Sequence, residues 1–96
     1  MKMDKKTEEF YIRLKEELYA TSDWPSVYLY KFIVPTDTQK IVIVEKAFDN
    51  MGAVITTHQS KNGKFTSVSV NVMMTSPEAV VEKYQELASV EGIISL

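Results

Sequence analysis

From Phe65 to Met74 the chain alternates between two kinds of residue. Val68, Val70, Val72 and Met74 fall on one side, and Ser67, Ser69 and Asn71 on the other. A period of two marks a strand with one buried face. Before it, Lys61-Asn62-Gly63-Lys64 predicts a two-residue type I′ turn, because Asn and Gly best tolerate the positive φ that both central positions need. Pairing Lys61 with Lys64 sets His58 opposite Ser67, Thr56 opposite Ser69 and Val54 opposite Asn71. Ala53, Ile55 and Thr57 then face the core, while Val54, Thr56, His58 and Ser60 join the serines. A slip of one residue would invert both strands.

Elsewhere the spacing changes. Phe10, Tyr11, Leu14 and Leu18 recur at helical intervals and predict an amphipathic helix over 5–19. Ala20 to Ser26 is a connector, in which Trp24 before Pro25 is expected to be extended. Trp24 is read as a lid on the core edge or an anchor for a partner. Val27 to Val34 is apolar on both faces, as in a central strand. Lys31 orients it, since a lysine is rarely buried unpaired. Tyr28, Tyr30, Phe32 and Val34 therefore point to the core, and Val27, Leu29, Lys31 and Ile33 to the open side. Thr36 and Gln39 form a capping box for a second helix, which runs to about Asn50 and ends at Gly52. Its inner stripe is Ile41, Val44, Ala47, Phe48 and Met51. Ser76-Pro77-Glu78 opens a third helix, with Val80, Val81, Tyr84, Leu87 and Ala88 as its buried face. Gly92 precedes a short last strand over 93–96.

The order is a helix followed by β-α-β-β-α-β. Right-handed crossovers place the two connecting helices on one face of the sheet. That is an α+β, ferredoxin-like sandwich with sheet order 4-1-3-2. Residues 1–25 form the N-terminal helix and connector, and 26–96 the ferredoxin-like domain. The open sheet face then gathers Leu29, Lys31, Ile33, Thr56, His58, Phe65, Ser67, Ser69 and Asn71, which are the candidate binding residues. Apolar side chains among them suggest that something covers part of this face.

Ninety-six residues make one domain, and 45% hydrophobic content is ordinary. A net charge of −2 gives no basic surplus for nucleic acid. Cysteine is absent, so there is neither a disulfide framework nor a thiolate metal site, which fits a cytoplasmic location. The charged N-terminus is not a secretory signal, and no run is long enough to span a membrane.

Ser60-Lys61-Asn62-Gly63-Lys64-Phe65-Thr66-Ser67-Val68-Ser69-Val70 resembles the signature of the small bacterial YbeD-like proteins, also called domain of unknown function 493. Tyr84-Gln85-Glu86-Leu87 and Tyr30-Lys31-Phe32 resemble two further family elements, so the similarity covers about residues 26–96. Phe65 stands where the family usually has Tyr. The family is similar to ACT domains, which implies an ACT-like fold and a regulatory or binding role.

His58 and Ser67 are expected to be neighbours, but neither strand supplies the acid that a nucleophilic site requires. One His and no Cys do not make a transition-metal site. No enzyme activity, cofactor or metal is therefore expected. The leading reading is a regulatory or adaptor domain that binds a protein partner or a second copy through the open face. The alternatives are an ACT-like sensor of a small-molecule effector and an RNA-binding module.

Overall fold

The computed structural model of the chain describes residues 5–96. The first four residues of the 1–25 segment lie outside the described residues. Seven elements follow in order: α1 (Lys5–Thr21), β1 (Ser26–Pro35), α2 (Thr38–Lys46), β2 (Val54–Gln59), β3 (Phe65–Met74), α3 (Pro77–Leu87) and β4 (Ile94–Ser95). The strands form one antiparallel sheet ordered β2-β3-β1-β4, with β1 and β3 in the middle.

The hairpin register is the one that the alternation predicts. His58 stands opposite Ser67, Thr56 opposite Ser69 and Val54 opposite Asn71. The turn differs from the expectation. Gly63 has φ +72°, but Asn62 is not at positive φ, so the turn is not type I′. Ser60 N–H donates to the Phe65 carbonyl at 2.8 Å and Gly63 N–H to the Ser60 carbonyl at 2.9 Å. Asn62 Oδ1 accepts from Lys64 N–H and from the Ser60 hydroxyl, each at 3.0 Å. The loop thus spans four residues, closed by Ser60 and Phe65. Two- and four-residue loops share one register, so the facing pairs are unchanged.

Tyr30, Phe32 and Val34 of β1 and Val68, Val70, Val72 and Met74 of β3 are buried against Val44, Phe48, Val80, Tyr84 and Leu87. The rings of Tyr30 and Phe32 stack at 5.6 Å between centroids, and Tyr84 meets Tyr30 edge-on at 5.0 Å. Burying apolar area on this scale is the main favourable term in folding. Ile41, Ala47 and Met51 pack at the margin, as the stripe on α2 predicts. Thr57 lies in the core row yet is exposed, because β2 is the outer strand of the sheet.

Several helix boundaries depart from the expectation. The N-cap of α2 is Asp37, whose Oδ1 accepts from Gln39 N–H at 2.9 Å. The Thr36 hydroxyl instead bonds the Thr66 hydroxyl at 2.9 Å. The helix ends at Lys46 with Ala47 as its C-cap, and irregular turns carry the chain through Asn50 and Gly52, both at positive φ. Ser76 caps α3 as expected, accepting from Ala79 N–H at 3.2 Å. Ala88 is the C-cap of α3 and is exposed rather than part of its buried face.

α1 packs on α3, in the helical layer. Tyr11, Leu14 and Leu18 reach the core, whereas Phe10 is exposed. The Tyr19 hydroxyl donates to Glu78, which holds that carboxyl below its usual range. Trp24, joined to Pro25 by a cis peptide, lies half-buried at the core edge. Its indole N–H donates to the Leu18 carbonyl at 3.1 Å.

Candidate functional site

The sheet has one face under the helices and one without them. Strand alternation decides which side chains reach the open face. Three cross-strand rows carry eight of the nine candidate residues. Leu29 lies opposite Asn71; Lys31 opposite Ser69, with Thr56 beyond; Ile33 opposite Ser67, with His58 beyond. Phe65 closes the face at the hairpin end, opposite Pro35. All nine residues therefore belong to one surface. Val27 and Met73 pair at its opposite end, and Ile94 stands beside Ile33.

This surface is mostly apolar and hydroxyl-bearing. Leu29 is 62% exposed in the middle of a central strand, and Phe65 is 45% exposed. Lys31 supplies the face with a cation at its centre. Ile33, His58, Ser60, Phe65 and Ser67 line a shallow hollow of about 140 Å³. The Ser67 hydroxyl donates to the His58 backbone carbonyl at 3.2 Å. The proximity of His58 and Ser67 is real, but the bond does not involve the imidazole. Among the described residues no three of His, Cys, Asp and Glu cluster as metal ligands. The tyrosines of β1 face the helices, so rings that could stack on a base are few here.

A second feature escapes strand periodicity. A cavity of about 280 Å³ opens between α1, α3 and the β4 edge of the sheet. Phe10, Tyr11 and Leu14 wall it from α1, Tyr28 from β1, Tyr84 from α3, and Ser95 and Leu96 from the C-terminal end. The Tyr28 and Tyr84 hydroxyls lie 2.9 Å apart at its wall. Burial, reinforced by the bond to Tyr28, pushes the Tyr84 phenol well above its ordinary value. Both hydroxyls, with Tyr11 and Ser95, join a lining that is mostly apolar. The residues come from four separate elements, so no local motif announces the cavity. Its one legible trace is the Tyr84-Gln85-Glu86-Leu87 element.

No helix among the described residues is long and apolar enough to cross a membrane. No curated protein and no solved structure matches the chain. Residues 20–96 match the family model described as protein of unknown function DUF493, and the chain belongs to that family.

Proposed function

We propose that this chain is a non-enzymatic regulatory or adaptor domain of ferredoxin-like, ACT-like plan, acting in the cytoplasm. Its open sheet face binds a protein partner or a second copy of the chain. The observation that supports this reading is the exposure of Leu29 at the centre of the sheet, on a face that α1 leaves bare. A solvated sheet face has no need of Val27, Leu29, Ile33, Phe65 and Met73 together, and such patches mark contacts. Lys31 in their midst favours a partner surface that sets one carboxylate among apolar residues. The His58–Ser67 pair lacks an orienting acid, which argues against nucleophilic catalysis.

The test compares wild type with Leu29→Glu and Ser69→Glu by affinity capture from lysate and by sedimentation. All three proteins should show the same circular dichroism. Both variants should lose the captured partner, or the dimer, at least tenfold. Unchanged capture and unchanged mass in both variants would sink the reading.

A further inference from the structure

We propose that Asn62 is a site of spontaneous deamidation, and that the Ser60 hydroxyl holds the reaction back while the hairpin stays closed. This goes beyond the open-face reading and does not depend on it.

The sequence supplies the reactivity. Asparagine is a thermally labile residue, and in a polypeptide it reacts with the amide of the residue that follows. The Gly63 nitrogen gives up its proton and attacks the Asn62 side-chain carbon Cγ. The N–Cγ bond forms, the Cγ–Nδ2 bond breaks, and ammonia leaves with a proton. Water then opens the cyclic imide at either carbonyl, giving aspartate or isoaspartate. Water is the only co-reactant. Glycine has no Cβ to obstruct that nitrogen, and its backbone turns freely. The other asparagines, Asn50 and Asn71, precede Met51 and Val72, whose side chains crowd the attacking atom. Asn62 is exposed, so water reaches it.

The folded turn opposes the reaction at the atoms that it uses. Gly63 N–H donates to the Ser60 carbonyl at 2.9 Å, which keeps the proton on the nucleophile. Asn62 Oδ1 accepts from Lys64 N–H and from the Ser60 hydroxyl, each at 3.0 Å. The same hydroxyl accepts from Phe65 N–H at 3.1 Å, so it ties the Asn62 carboxamide to the start of β3. To bring Cγ onto the Gly63 nitrogen, the carboxamide has to leave these donors. Local opening of the hairpin releases them together, so the rate of conversion follows that opening.

The two products differ in consequence. Aspartate keeps the Oδ1 acceptor, now charged, between Lys61 and Lys64, and so keeps the turn. Isoaspartate carries an extra methylene in the main chain of a loop closed by Ser60 and Phe65, and loosens that closure.

The test incubates the wild-type chain at pH 8, in buffer and in denaturing urea. Digestion at glutamates gives one fragment, residues 46–78, that holds Asn50, Asn62 and Asn71. Tandem mass spectrometry locates the gain of about 1 Da that exchange of –NH₂ for –OH brings. In urea Asn62 should convert while Asn50 and Asn71 persist. In buffer its conversion should be at least tenfold slower. Ser60→Ala should speed the reaction at least threefold in buffer and leave it unchanged in urea. Ser60→Thr, which keeps a hydroxyl, should restore the protection. Circular dichroism checks that both variants fold. If Ser60→Ala does not, the wild-type rates in buffer and urea and the rate of Ser60→Thr decide. Three results overturn the inference: an Asn62 that persists in urea, equal wild-type rates in buffer and urea, or a folded Ser60→Ala that converts at the wild-type rate.

Discussion

The Tyr28 and Tyr84 hydroxyls sit 2.9 Å apart and tie the first strand to the third helix. Tyr30, next in the same row, donates to the Val80 carbonyl at 3.1 Å. Tyr30 and Tyr84 keep their protons above the ordinary tyrosine value of 10.0, chiefly through burial.

Stability should therefore fall at alkaline pH. Above pH 10 the unfolded chain releases these protons while the folded chain keeps them. The folded state then binds more protons, so stability drops as pH rises. The contribution is fully present below pH 10. Each tyrosine adds a slope of about 1.4 kcal/mol per pH unit. Urea melts at pH 8, 10 and 11 should show this loss, and Tyr30→Phe or Tyr84→Phe should make it shallower.

Asp37→Ala should cost about 1 kcal/mol, the usual worth of an N-cap side chain. A urea midpoint with an unchanged slope reads this directly. An unchanged midpoint in Asp37→Ala would show that Asp37 is not the cap.

The Thr36–Thr66 bond predicts an asymmetry. Thr66 is buried and Thr36 is exposed. Thr36→Val leaves a buried hydroxyl without its partner, at a cost of about 1–3 kcal/mol. Thr66→Val frees Thr36 to bond water and should cost less. The double variant should be no less stable than Thr36→Val alone. Chemical denaturation of the three proteins measures the difference.

Gly92 has φ +82°, and an added Cβ would come within 2.8 Å of the Pro35 ring. Gly52 has φ +70° with nothing within 4 Å of such an atom. Gly52→Ala should lose about 1–2 kcal/mol from the backbone alone. Gly92→Ala should lose more, because a proline ring has little freedom to give way. Equal melting temperatures in the two variants would show that Pro35 moves aside at no cost.

The sequence makes the strands more legible than the caps and the helical layer. Val68, Val70 and Val72 define their faces alone, and Lys31 is enough to orient β1. The hairpin register survives an error about its turn because Ser60 and Phe65 face each other under either loop length. Thr36 and Asp37 both suit a cap, and only the position of Thr66, thirty residues on, decides between them. The helical spacing of α1 reveals a stripe but not its partner. Phe10 lies at the edge of that stripe and ends up exposed. Beyond the Tyr84-Gln85-Glu86-Leu87 element the cavity leaves no trace in the sequence, because its walls meet only after α1, β1, α3 and β4 have assembled. For the open face, the nine residues could be gathered in advance, since register alone brings them together.

The order β2-β3-β1-β4 also sets the order of events in folding. The β2–β3 hairpin joins near neighbours, whereas β1 reaches β3 only after the chain from Pro35 to Phe65 has closed on itself. Closing that loop costs entropy before any contact repays it. The expected slow step is thus the docking of β1 on a hairpin already formed. Substitutions in β1 should slow folding, and those in β4 should mainly speed unfolding. A chevron series on Val34→Ala and Ile94→Ala reads the two arms separately.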